Sequence, residues 1–229
     1  MDGSYFRPWL EDPDSTFNIT TYTQGRGEDR SISGLTDELA SVIGNSEEEQ
    51  VFLLAHSFGS VICFEYLKKF GSGGISGVIL TAWPGTSGWK AGFADRNPAY
   101  RPVSDPKLSG NERLKRTMTT NAGAYFSHAF VDEGIRLLSA VSYDMDLASG
   151  LQEEMAEYDY SGFLTSLDIP VLSVTGASDT VIPPEHISEI SKHISECRHE
   201  VFPTKHFPFV EDRDGFCRLV QAFVQDEAR

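Results

Sequence analysis

The sequence reads as an α/β protein: a mostly parallel sheet flanked by helices, with a helical cap inserted between strands. Two observations lead there. Short apolar runs bounded by turn residues alternate with segments of helical period, the order a parallel sheet requires. Between Trp83 and Tyr160 that alternation stops, and helical segments succeed one another with no strand pattern between them. A chain of 229 residues can bury one full core. The expected organisation is a first core part over residues 1–84, a cap over 85–160 and a second core part over 161–229.

The elements come in order. Thr16–Thr23, rich in β-branched residues, predicts a strand, and Thr36–Ile43, with apolar Leu39, Val42 and Ile43, a helix. Val51 to Ala55 is an apolar run of strand length. His56, Ser57, Phe58 and Gly59 come at once after it, and then Val61, Ile62, Phe64 and Leu67 recur at helical period. Gly71–Gly74 predicts a turn and Gly77–Trp83 the next strand. Gly85–Pro106, rich in Gly, Pro and polar residues, predicts an irregular loop. Asn111–Ala129, Asp132–Ala148 and Gln152–Tyr158 predict helices. Residues 169–175 and 199–202 predict strands, with a helix over 185–195 between them. Asp212–Gln225 closes the chain as a helix whose Phe216, Leu219, Val220 and Phe223 share one face.

The chemistry concentrates at three strand ends. A strand that passes into a helix within about two residues sets Ser57 on a tight turn, the setting that makes a nucleophile elbow of a G-x-S-x-G pattern. Ala55 stands at the first Gly position, and Gly59 keeps the second. Small residues are expected there because bulk would meet the neighbouring strand and helix. A Ser hydroxyl is a weak nucleophile until a His takes its proton, and the His needs a carboxylate to fix its tautomer. Asp179 lies in a loop after the 169–175 strand and Gly176; His206 comes after the 199–202 strand. Read singly, Asp179 is a turn or helix-cap residue and His206 a loop histidine. Read together, in the order Ser, Asp, His, each after a strand, they form a catalytic triad. His56 adjoins the nucleophile, with its side chain expected to point elsewhere. His128, His186, His193 and His199 show no metal-type clustering, so no metal or cofactor is expected.

On these residues the chain resembles the α/β-hydrolase superfamily, and within it the proline iminopeptidase-like branch. The segment from Met1 to Leu10 resembles the stretch just after the HGGPG loop of that branch. Asn18 to Ser31 resembles its strand and YDQRGxGxS segment, and His206-Phe-Pro-Phe-Val-Glu211 its catalytic-His signature. The resemblance implies a serine hydrolase whose elbow supplies one oxyanion donor, the Phe58 N–H. It also implies a lid at the position of residues 85–160. Two departures matter. The sequence starts where the HGG loop would just have ended, so the strands and loop before it are expected to be absent, through truncation or a late start. The second oxyanion donor then falls to Gly3 or Ser4. The amine-binding cap motifs have no clean counterpart, Glu153 and Glu154 being the candidates.

Hydrophobic content of 40% and charged content of 23% suit a soluble enzyme domain. A net charge of −15 opposes nucleic acid and anionic membrane partners. Cys63, Cys197 and Cys217 are too far apart in sequence for a disulfide framework or a zinc pair. With no apolar run of membrane length and no leader pattern, a cytoplasmic location is expected. Trp83, directly after its strand, is the expected wall of a substrate pocket. Phe93, Tyr100, Tyr125, Phe126, Phe130 and Tyr143 either line that pocket or pack the cap onto the core. The reading is a hydrolase cleaving an ester or amide of a small, partly apolar molecule or short peptide, without cofactor. The alternatives are an aminopeptidase, and a truncated, weakly active or purely binding protein.

Overall fold

The structure, a computed structural model, describes residues 3–6 and 17–227. Among them, four strands form one sheet: β1 (Val51–His56), β2 (Ile75–Thr81), β3 (Val171–Gly176) and β4 (Cys197–Phe202). They pair in parallel in the order β1-β2-β3-β4. Parallel neighbours need long crossovers. These are α2 (Gly59–Phe70), the segment 82–170, and α6 (Pro184–Ser191). The remaining helices of eight residues or more are α1 (Ile32–Gly44), α3 (Gly110–Thr120), α4 (Val131–Ala140), α5 (Met145–Glu154) and α7 (Arg213–Glu227).

The two central strands are buried, every residue of β3 and all but one of β2, as expected of strands covered on both faces. Leu80, Val171, Leu172 and Val174 form the centre of the core with Phe64 and Phe216. Phe216, Val220 and Phe223 are the buried face of α7. Helix ends obey their sequence signals. The Ser31 hydroxyl accepts the Gly34 N–H at the start of α1, and Ser109 and Glu112 form a capping box on α3. Gly71, at a φ of 76° open to glycine, ends α2.

Several elements differ from expectation. Residues 17–23 form no strand. Phe17 and Ile19 pack on the core while Asn18 and Thr20 face out, so the period-2 alternation is real, but no ladder forms. The one helix expected over Asn111–Ala129 is broken at Asn121. Its Nδ2 donates to the Thr117 and Arg101 carbonyls, and its Oδ1 accepts the Arg101 N–H. That side chain competes with the helical backbone and ends α3. A one-turn helix, Ala122–Tyr125, and a short 3-10 turn, His128–Phe130, come next. Asp132–Ala148 is likewise two helices, with the Asp144 carboxylate capping α5 through the Leu147 N–H. Beyond Glu154 the helix stops because residues 85–87 take over the later backbone. Ser87 N–H donates to Tyr158 O (2.8 Å) and Tyr160 N–H to Gly85 O (2.9 Å). The expected irregular loop 85–106 contains a 3-10 turn, Ser87–Lys90, and a one-turn helix, Phe93–Arg96.

Among the described residues no helix is long and apolar enough to cross a membrane. Most of the Met1–Leu10 segment lies outside them. Its described part, the 3-10 turn Gly3–Phe6, packs on the residues just after His206. The Tyr5 ring is 5.5 Å from Phe207, and Phe6 stacks on Phe209 at 4.9 Å.

Candidate active site

The carboxyl ends of the strands carry the candidate residues, the edge at which open α/β sheets place their sites. Ser57 comes directly after β1. Its φ of 50° is in the left-handed region, strained for a residue with a Cβ by about 1–3 kcal/mol. Hydrogen bonds hold it there. The Ser57 N–H donates to Thr81 O (2.9 Å), at the end of β2. The Ser57 carbonyl accepts both the N–H and the hydroxyl of Ser60 (3.1 and 2.7 Å). Ser60 is a fully buried part of the elbow that sequence reading does not single out, although its place three residues on, in the first turn of α2, is where such a bond is possible.

Asp179 and His206 come to Ser57 from two other loops. His206 Nε2 lies 3.2 Å from Ser57 Oγ, and His206 Nδ1 lies 2.8 Å from Asp179 Oδ2. Asp179 and His206 are each 3% exposed, whereas Ser57 is half-buried and so reachable. The other Asp179 oxygen accepts the N–H groups of Val181 (2.8 Å) and Ile182 (3.1 Å), which fix the carboxylate in its loop. The two loops touch at Gly176, where an added Cβ would lie 1.9 Å from the Lys205 carbonyl oxygen. Glycine is therefore required at that point to let the Asp loop and the His loop meet.

Some expected features differ. An added Cβ at Gly59 would meet nothing within 4 Å, so the small residue there is not enforced by contact among the described residues. Trp83 is a correction. It is 0% exposed, its Nε1–H donates to Ser173 Oγ (2.8 Å), and its ring packs edge-on against Phe64. It is a core side chain and not a pocket wall: β2 ends at Thr81, the backbone turns at Ala82 (φ 46°), and both Ala82 and Trp83 are fully buried. Phe58, the expected donor, is the cap residue just before α2. Its ring packs on the small apolar cluster of Leu35, Ile62, Leu147 and Leu151, and among the described residues its N–H has no protein partner. Of the inserted aromatics, Phe126 stacks on Phe207 (4.6 Å, 10°) and packs the insertion down. Tyr125, Tyr100 and Phe93 instead run away from His206 in a row of ring contacts at 5.9, 6.5 and 5.3 Å. The Glu154 carboxylate accepts the Ile32 N–H at 3.0 Å.

His56 is the other correction, since its ring points at the site. It lies 4.9 Å from the His206 ring and 4.6 Å from Phe207, with Nδ1 2.9 Å from Thr81 Oγ1. Its Nε2 is buried without a partner. Burial, and then the nearby His206, hold its pKa well below 6.5, against a smaller opposing hydrogen bond at Thr81. His56 thus stays neutral when folded and takes a proton when unfolded. Its share of stability is complete above about pH 6.5 and is lost as the pH falls below that value. His56→Phe, which keeps the ring but cannot be protonated, is expected to reduce the loss of melting temperature between pH 7.5 and 5.5. Parallel curves for the two proteins would contradict this. Cys63, on α2, offers no competing nucleophile, because burial pushes its thiol up to about 12. Among the described residues no cluster of His, Cys, Asp and Glu is arranged to hold a metal.

A family model described as the alpha/beta hydrolase family matches residues 7–219. Among curated proteins, a pimeloyl-[acyl-carrier protein] methyl ester esterase of Vibrio parahaemolyticus is 32% identical over 73 residues, 31% of this chain and 29% of that protein. A 3-oxoadipate enol-lactonase of Acinetobacter baylyi is 27% identical over 124 residues, 52% of this chain and 46% of that protein. The matches thus span less than half the length of either relative. Among solved structures, an esterase from Rhodococcus sp. ECU1013 superposes with a TM-score of 0.75 at 19% identity, over 97% of this chain and 86% of that one.

Proposed function

This chain belongs to the alpha/beta hydrolase family, and on that premise we propose that it is a serine esterase using Ser57, His206 and Asp179. The observation that carries this reading is the pair of contacts made by one buried imidazole, 3.2 Å to Ser57 Oγ and 2.8 Å to Asp179 Oδ2. Ser57 Oγ attacks the ester carbonyl as His206 Nε2 takes its proton. Asp179 holds the Nδ1–H tautomer and stabilises the imidazolium. The protonated His206 then gives its proton to the leaving alcohol. Water, activated by the same imidazole, releases the acid from Ser57. In this reading the Phe58 N–H donates to the developing oxyanion, and the second donor comes from the Gly3–Phe6 turn, whose Tyr5 and Phe6 rings pack on Phe207 and Phe209 just after His206.

An ester is preferred to an amide because the curated relatives are an ester esterase and a lactonase. The row of Tyr125, Tyr100 and Phe93 beside His206 favours a small substrate with an apolar acyl part. A cytoplasmic location is part of the proposal; the net charge of −15 itself bears only on solubility and on repulsion from anionic membranes. The test is a panel of p-nitrophenyl acyl esters beside proline p-nitroanilide. Ester turnover with no anilide turnover is expected. Faster cleavage of the anilide would replace this reading with an aminopeptidase, and no turnover of either would remove it.

A further inference from the structure

We propose that Asn97 is a positioning residue for Asp179, so that the segment between β2 and β3 braces the triad from outside the sheet. This rests on the esterase reading. Thr180 directly adjoins Asp179. Its hydroxyl donates to Asn97 Oδ1 (2.7 Å), with Ala124 O a second acceptor at 3.2 Å. The Thr180 carbonyl accepts from Asn97 Nδ2 (2.8 Å) and from Arg96 Nε (3.2 Å). One side-chain amide therefore grips both the side chain and the backbone of the residue next to the acid. Asn97 Nδ2 also donates to Phe93 O at 3.1 Å. Asn97 is 7% exposed, and a buried amide is tolerated only when its polar atoms are matched in this way.

The same segment holds the base. The His206 N–H donates to Tyr125 O (3.0 Å), and Lys205 Nζ donates to Gly123 O (2.5 Å). Three successive carbonyls, of Gly123, Ala124 and Tyr125, thus serve the Asp loop and the His loop together. Helix-end carbonyls need partners from elsewhere, and here the two loops supply them. The consequence is mechanical. Asp179 keeps its bonds to Val181 and Ile182 whatever Asn97 does, but the loop that carries all three is held in register by Asn97. Loosening it moves the carboxylate relative to His206 Nδ1, and small misplacements in a reacting array are costly in rate.

The test uses the full chain with five variants: Asn97→Ala, Thr180→Val, Thr180→Ser, Asp179→Asn and Asn97→Ala combined with Asp179→Asn. Asn97→Ala is expected to lower kcat about tenfold to a hundredfold with KM nearly unchanged. The downfield proton resonance of His206 Nδ1–H is expected to broaden or shift upfield. Thr180→Val, which removes one of the two bonds, should move both readouts the same way, and Thr180→Ser should restore what Thr180→Val loses. In the Asp179→Asn background, Asn97→Ala should cost nothing further, because Asn97 acts through that carboxylate. A folded Asn97→Ala protein with wild-type kcat and an unmoved resonance would overturn the proposal. So would an equal loss in both backgrounds. The resonance needs no substrate, so it tests the brace even if the wild-type protein turns over no ester, an outcome that would count against the esterase reading alone.

Discussion

Ser57→Ala is expected to lower ester turnover by on the order of 10⁵–10⁶-fold, equivalent to about 7–8 kcal/mol of transition-state stabilisation. The loss is that large because the hydroxyl is the only covalent partner the acyl group has. Without it, His206 and the oxyanion donors are left to act on water alone. The fold should barely notice. The Ser57 backbone is held by Thr81 and Ser60 and not by its own Oγ, whose contact is with His206. A half-buried hydroxyl removed in this way changes stability by about half a kcal/mol. Turnover on a p-nitrophenyl ester and a melting curve check both halves. A folded variant that keeps more than a small fraction of wild-type turnover would show that the reaction does not pass through Ser57.

Asp179→Asn is expected to cost about 10⁴-fold in kcat with the fold intact. The shape is unchanged, and the amide oxygen can keep the Val181 and Ile182 N–H bonds made now by Oδ1. The damage lies on the other side. An NH₂ group opposite His206 Nδ1 forces that nitrogen to accept, which puts the ring proton on Nε2. His206 then offers Ser57 a donor where a base is required. The electrostatic support for the imidazolium is lost as well. A loss smaller than about tenfold would mean that Asp179 is a structural residue of its loop and that another group orients His206.

How much of this is legible in the sequence depends on the range of the interaction involved. The elbow is local: an apolar run, a Ser, a Gly and a helical repeat lie close together in the chain, and β1 and α2 fall where that pattern puts them. Asp179 is legible through its place after the apolar β3, and His206 through its place after the short, half-buried β4. The contacts that orient them are not. Asn97 meets Thr180 from 83 residues away, and no periodicity signals a reciprocal amide bond. His56 departs from expectation because alternation along β1 fixes which face a residue takes but not what packs there. Trp83 departs for a related reason, since the end of a strand can turn a side chain into the core as readily as into a pocket. The broken helices of the insertion arise from side chains such as Asn121 that hydrogen-bond backbone, a competition that helical spacing does not reveal. Residues 17–23 show the same limit for strands: their alternation is present, yet a strand also needs a partner's ladder.

The most direct test of the central claim, that His206 and Asp179 activate Ser57, is labelling with a fluorophosphonate, read out by intact-mass and peptide mass spectrometry. The expected result is one adduct per chain, mapped to Ser57, absent in Ser57→Ala and formed far more slowly in Asp179→Asn. A folded protein that takes up no label, or takes it up at another residue, would contradict the claim.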